Sequence, residues 1–377
     1  MKKYFMYINI VIGLFLLTAC WDQLLLKDVN LIYSLGIDKT DEGQFNTTVS
    51  IPKEGSSEKT SPSSYIISAE GRTLRESRTN VDNALPGSVD SSKIRVILID
   101  QALAKIDLYT VLDVLYRDAR APLSSRVAIT VNTAEDLIRL NIESAPLVST
   151  YYIDLIEGAE QDTIVPRLNL QYICPVMLDI GKDFNIPLLK IDKQHSTEKA
   201  RVIGTALFDD KKMTGTLSVD ESIMANLLSD KKGKTEMTSF ITTIDGQQQE
   251  LTAFNHISYQ IDEYKSKIAV TPAGNSYTID LNLEVYLNVT EYPPDHLNEK
   301  STIVELNSQI QEELQELAVT TVAKLQEAKC DLLGIGRELM AYHHYKIEDG
   351  KEWKEVYGQL PINVNVQAEI IHHGIIN

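Results

Sequence analysis

Lys93-Ile94-Arg95-Val96-Ile97-Leu98-Ile99-Asp100 is the stretch whose reading decides the fold. A short, nearly continuous apolar run rich in β-branched residues describes a central strand covered on both faces. Its flanks then set the class. Downstream, the pattern predicts a helix from about Ile106 to Arg117, a strand from Arg126 to Val131 and a further helix opened by Thr133-Ala-Glu-Asp136. The acidic residues of that opening complement the helix dipole. Upstream, Asn30–Asp38 and Phe45–Ile51 read as a hairpin across Asp41-Glu42-Gly43. The Ser-, Lys-, Pro- and Glu-rich residues Pro52 to Ser64 read as an exposed loop. Tyr65–Ala69 resumes as a strand, and Thr73–Leu85 has helical spacing until Pro86-Gly87 stops it. Strands and helices alternate, but hairpins interrupt the alternation. The expected class is therefore α+β with a mixed sheet, in preference to a doubly wound α/β fold.

Further along, Ser149–Leu178 is predicted helical with a break near Asp162 to Pro166, and Pro187–Ile191 is a short strand. The polar linker Gln194–Lys199 marks the first domain boundary, giving an amino-terminal domain over 20–195. Arg201–Phe208 and Met213–Val219 form a hairpin across Asp209–Lys212, and Asp220–Leu228 a helix, within a small middle domain over 196–250. Strands are expected near Met237–Ile244, Asn255–Gln260, Ser266–Val270 and Tyr277–Val289. In the last of these Ile279, Leu281, Leu283, Val285 and Leu287 face one way and Asp280, Asn282 and Glu284 the other, so one sheet face is wet. The carboxy-terminal domain, 251–377, carries the longest predicted helix, Thr302–Lys329, with the Thr302/Glu305 spacing of a capping box. Its stripe of Ile303, Leu306, Ile310, Leu314, Leu317 and Leu325 is expected to pack on its own sheet, not on a partner helix. Ile362–Ile370 supplies a final alternating strand.

The amino terminus reads as an export signal. Lys2 and Lys3 precede an apolar run from Phe5 to Leu17, shorter than the roughly 20 residues of a membrane span. Leu17-Thr18-Ala19-Cys20 then matches a bacterial lipoprotein signal, with residues 1–19 removed and the mature chain beginning at Cys20. Such a Cys carries a diacylglyceryl group and an N-acyl chain, palmitate for example. One acyl chain holds a protein only reversibly, whereas two or more hold it durably. An uncleaved amino-terminal helix is the alternative, and it gives the same topology.

Composition excludes several functions. A net charge of −17 opposes nucleic acid and anionic lipid surfaces alike, so the covalent lipid has to do the attaching. After Cys20 only Cys174 and Cys330 remain, too few for a disulfide-stapled domain and expected as two buried free thiols, with a single bridge as the alternative. There is no phosphate loop, dinucleotide glycine motif, nucleophile elbow or His-Glu-x-x-His. His343-His344 and His372-His373 are adjacent pairs, whose side chains diverge on helix and strand alike, so no metal is expected there. No enzymatic activity, cofactor or catalytic residue is expected.

Four stretches are together similar to the Ger(x)C family, the C subunits of spore nutrient-germinant receptors. They are Cys20-Trp21-Asp22; Ala69-Glu70-Gly71-Arg72-Thr73-Leu74; Ile203-Gly204-Thr205-Ala206-Leu207-Phe208 with Gly215 and Leu217; and Cys330-Asp331-Leu332-Leu333-Gly334-Ile335-Gly336 with Trp353 beyond. The chain departs from the family pattern in having Ala19 before the Cys, and Leu24 to Leu26 where an acidic residue is usual. The resemblance implies an elongated stack of three α+β domains without enzymatic activity. It also implies lipid anchoring on the outer face of the spore inner membrane, beside integral-membrane A and B receptor subunits. Trp21 and Asp22 suit either a membrane-interface junction or a plain linker. Gly204, Gly215, Gly334 and Gly336 read as backbone requirements. The rival readings are an extracytoplasmic solute-binding lipoprotein, which would favour two similar lobes around a cleft, and a hydrolase.

Overall fold

The computed structural model of the chain describes residues 29–53, 64–142, 147–193, 198–230, 235–240, 251–274 and 276–374, together with Tyr4. The signal over 1–19, Cys20, Trp21 and Asp22, nearly all of the loop 52–64, most of the 194–199 linker and the end of the 237–244 strand lie outside the described residues.

In chain order the first half runs β1 (Val29–Leu31), β2 (Ser34–Lys39), β3 (Phe45–Pro52), β4 (Ser64–Gly71), α1 (Leu74–Asn83), β5 (Ser88–Asp90), β6 (Val96–Asp100), the single turn α2 (Gln101–Ala104), α3 (Leu108–Tyr116), β7 (Arg126–Thr130), α4 (Ala134–Arg139), α5 (Val148–Gln161), α6 (Leu170–Met177) and β8 (Asn185–Asp192). Next come β9 (Lys199–Asp209), β10 (Lys212–Leu217), α7 (Val219–Leu228), β11 (Thr235–Phe240), β12 (His256–Ala273), β13 (Ser276–Glu291), α8 (Lys300–Glu327), α9 (Ile335–Tyr342), α10 (Gly350–Gln359) and β14 (Ile362–His372).

The larger sheet has the order β10-β9-β8-β7-β6-β2-β3-β4. Its centre, β8-β7-β6-β2, is parallel, and antiparallel pairs extend it on either side. This is the mixed sheet that the interrupted alternation predicts. Every residue of β6 is buried. Ile97 and Ile99 enter a core with α1, α3 and α6, while Val96 and Leu98 enter a second core with α4 and α5. A strand that serves two cores has no wet face, which is why its sequence shows no alternation. The sheet also crosses residue 195, since β8 and β9 pair from Asn185↔Leu207 to Asp192↔Lys199. The described part of 196–250 is shared between the two sheets, with β9 and β10 in the larger and β11 in the smaller.

The smaller of the two main sheets, β11-β12-β13-β14, ends in a parallel pair, and β1 and β5 form a separate two-stranded parallel sheet. Ile279, Leu281, Leu283, Val285 and Leu287 all point into one core, as their alternation predicts. β12 is one long strand where the sequence suggests two, because a bulge between Ile261 and Glu263 absorbs the polar interruption. The long helix starts earlier than its capping-box spacing implies. Its N-cap is Glu299, without a side-chain bond, and Thr302 lies inside the first turn. Buried Leu297 fixes the preceding turn against the core and so sets the earlier start.

As expected, the stripe on α8 packs on its own sheet. Beside that stripe, Asn307, Gln311 and Gln315 cover the free edge of β14. Ile370 N donates to Asn307 Oδ1 (2.9 Å), Ala368 N to Gln311 Oε1 (3.4 Å) and Val366 N to Gln315 Oε1 (2.8 Å), while Gln315 Nε2 donates to the Val364 carbonyl (2.8 Å). The spacing works because four helix residues rise about 6 Å and two strand residues about 6.6 Å, so an i, i+4 series keeps step with alternate strand residues. An edge covered in this way offers no template for a further strand.

Candidate functional site

The motif Cys330–Gly336 follows the long helix and meets the end of β9 and the start of β8. Asp331 is fully buried. Its Oδ1 accepts from Gly334 N (2.9 Å) and Ile335 N (2.8 Å), and its Oδ2 from Gly336 N (2.7 Å) and the Trp353 indole (3.2 Å). A carboxylate so placed satisfies the orphan N–H groups at the start of α9 and lies at the positive end of its dipole. Burial pushes the Asp331 carboxyl up, and the N–H donors pull it back.

Two glycines make this turn possible. Gly334 has φ +76°, the left-handed region that L side chains avoid. A Cβ on Gly336 would lie 2.9 Å from the Trp353 ring and 2.8 Å from Gly181 Cα, so the backbone must be bare there.

Asp183, also buried, faces the same junction from the larger sheet. Asp331 N donates to its Oδ2 (2.6 Å), Asp183 N donates to the Asp331 carbonyl (2.9 Å), and Lys354 Nζ contacts the same Oδ2. Lys354 also lies 3.3 Å from Asp209 Oδ1. Burial pushes the Asp183 carboxyl up to about 7 against the pull of Lys354, whereas its carboxylate neighbours hold Lys354 above its ordinary value despite burial. The first shift favours a neutral pair and the second an ionised one. Geometry favours the ionised pair, because the ammonium meets two carboxylates and Asp183 accepts a backbone N–H besides.

Asp183, Asp209 and Asp210 have the spacing of a cation site among the described residues, but the Lys354 ammonium already supplies the positive charge there. At the rim Arg337 donates to Asp179 (2.6 Å) and Arg337 N to the Gly181 carbonyl (2.9 Å). The arrangement binds one part of the chain to another.

The other sequence features fall elsewhere. In Ala69–Leu74, Thr73 caps α1 by accepting from Glu76 N (3.1 Å), and Gly71 lies against the backbone of Ser77. Cys330 is buried and donates weakly to the Phe184 carbonyl (3.7 Å), and burial pushes its thiol well up. Cys174 is only half-buried, contrary to the expectation of two buried thiols, and the two remain unbridged. His343 lies edge-on to Tyr277 with ring centroids 6.0 Å apart. Neither Lys354 nor Asp183 belongs to a recognisable motif in the sequence. Their one signal is that Lys354 directly follows Trp353 of the motif.

Together these features define a class: α+β proteins in which a sheet-and-helix unit is keyed onto a mixed sheet by a buried carboxylate beneath a glycine turn. The chain belongs to the GerAC-like family of spore germination proteins, the C subunits of germinant receptors. Residues 22–191 match the model described as "Spore germination protein N-terminal domain", and residues 203–374 match "Spore germination B3/GerAC like, C-terminal".

Among curated relatives, the putative spore germination protein YfkR of Bacillus subtilis (strain 168) is 22% identical, covering 96% of this chain and 94% of its own. The spore germination protein GerQC of Bacillus cereus is 21% identical, covering 100% and 99%. The crystal structure of the GerBC protein superposes with a TM-score of 0.58 at 20% identity, over 90% of this chain and 97% of that one, and so shares the fold.

Proposed function

We propose that this chain is the lipid-anchored C subunit of a nutrient germinant receptor. In this reading it is a non-enzymatic scaffold held through Cys20 on the outer face of the spore inner membrane, against multi-spanning A and B subunits. The observation that carries the reading is the tiling of the chain by the two germination-family models, the first starting at Asp22, just beyond Cys20. Relatives matched end to end are likewise named as germination proteins. Support for a scaffold comes from the buried charges at the junction, where Asp331 is taken up by backbone N–H groups and Asp183 by Lys354, so that both join one part of the chain to another. Among the described residues no helix is long and apolar enough to cross a membrane.

The test is palmitate labelling of sporulating cells that carry wild type or Cys20→Ala. Wild type should be labelled and fractionate with the spore inner membrane, and the variant should lose the label, leave the membrane and slow germination. A Cys20→Ala protein that stays in the membrane and supports normal germination would remove the anchor from the account.

A further inference from the structure

Helix α6 is apolar on every side. In Leu170-Gln-Tyr-Ile-Cys-Pro-Val-Met177 the only strongly polar side chain is that of Gln171. Leu170, Ile173, Val176 and Met177 turn inward and join a core of the larger sheet. Tyr172, Pro175 and, just past the helix, Leu178 turn outward, Tyr172 being 49% and Leu178 59% exposed. A helix that is apolar all round belongs in the middle of a protein or in lipid, yet the outer face of α6 is bare.

The outward residues do not stand alone. Leu123 lies at the start of α6, where Gln171 N donates to its carbonyl (3.0 Å), and Ile180 follows Leu178 at the other end. These two are 40% and 42% exposed. Single apolar residues on a surface need no explanation, but a run of them along one element marks a contact surface. Charge does not oppose an apolar contact here. Asp179, between Leu178 and Ile180, is neutralised by Arg337 (2.6 Å), and exposed Arg167 shares the wall of a recess with Tyr172.

The tether indicates what covers this face. Eight residues, 21–28, separate Cys20 from Val29, where β1 begins, and they span at most about 30 Å. β1 in turn lies a few contacts from the patch. Leu31 pairs with Asp90 of β5, Asp90 accepts from Arg120 (2.8 Å), and Arg120 is three residues before Leu123. A bilayer that holds a lipid on Cys20 is therefore within reach of the face. Its composition suits that surface, since Tyr favours the headgroup level, Leu and Ile the acyl boundary, and Arg the lipid phosphates.

We propose that the outer face of α6, with Leu123 and Ile180 at its ends, lies on the membrane to which Cys20 tethers the chain. The lipid attaches the protein and this face fixes its orientation. The inference rests on the lipid-anchored reading and adds to it the side on which the protein meets the bilayer.

Spin labels test it. The acylated full chain carrying Cys174→Ser is reconstituted in phosphatidylcholine vesicles, with a nitroxide at Leu178→Cys or Pro175→Cys, or at Gln367→Cys on the exposed face of β14 as control. Cys330 is buried and does not compete for the label. Labels at 175 and 178 should be severalfold less accessible to a water-soluble nickel chelate than the label at 367, and more accessible to oxygen, which concentrates in lipid. Tyr172→Asp added to the chain labelled at 178 should raise its nickel accessibility toward that at 367, with flotation on the vesicles unchanged. A chain that floats while all three labels respond alike would overturn the contact and leave the anchor standing. Shielding seen only in spore inner membranes, where a partner protein is the cover, would do the same. A chain that does not float would remove the anchor, and this contact with it.

Discussion

Val96–Asp100 and Ile362–His372 are both strands, yet they are held in opposite ways. The first is buried on both faces and paired along both edges, so many small apolar contacts share the load. The second lies at an edge with every other residue wet, and its outward backbone groups are taken by Asn307, Gln311 and Gln315. The carboxy-terminal unit has an apolar core of its own, but it too is keyed to the larger sheet by polar residues, Asp331, Asp183 and Lys354. The inner strand thus depends on shared apolar burial, whereas the edge strand and the junction between the units depend on a few polar residues.

Substitutions can break that contrast. The largest loss is expected for Asp331→Ala, which strands the Ile335 and Gly336 N–H groups and the Trp353 indole and leaves Gly334 N only its bond to the backbone carbonyl of the same residue (3.2 Å). Chemical denaturation should register about 3–5 kcal/mol, as when one member of a buried charged network is removed. Gly336→Ala drives a methyl group into Trp353 and Gly181, and by the same measurement should cost about 1–3 kcal/mol. Gln315→Ala removes both edge bonds at Val364 and Val366 and is expected to cost about 1–2 kcal/mol. In the larger sheet Ile97→Val should cost only about 0.5–1.5 kcal/mol, although Ile97 is wholly buried. If Ile97→Val proved as damaging as Asp331→Ala, the contrast between the sheets would be false.

The most pH-dependent change is expected for Asp38→Asn. Asp38 accepts from Ala134 N (2.5 Å) and Glu135 N (2.9 Å), and burial outweighs these bonds to raise its carboxyl from 3.8 to about 7. The fold therefore prefers the protonated form. The stability it contributes is full below the unfolded value of 3.8 and is lost as pH rises through about 7. Asn offers one acceptor where the acid offers two, so the variant should be the less stable below about pH 4. Wild type should lose stability relative to the variant between there and neutrality, as read from urea midpoints across that window. Parallel curves would show that Asp38 is not protonated in the fold.

Legibility in the sequence follows the same divide. β6, the alternation of β13 and the β9–β10 hairpin were readable because burial and period are local properties of the chain. The helices Ile335–Tyr342 and Gly350–Gln359 were not, since their short segments gain stability from the junction they close. The role of Asp331 was hidden because its main partners are backbone N–H groups, and that of Lys354 because Asp183 lies 171 residues away. The edge cover could have been found. Asn307, Gln311 and Gln315 recur at four-residue steps beside an apolar stripe, which is the mark of a polar row facing structure instead of solvent. The family motif, by contrast, pointed to the right place before its purpose was visible.

The proposed function requires that the chain work beside integral-membrane companions. The most direct measurement is mass spectrometry of what co-purifies when the tagged full chain is drawn from detergent-solubilised spore inner membranes. Two multi-spanning germination proteins recovered with it are the expected result. A chain recovered alone, or with soluble proteins only, would contradict the account.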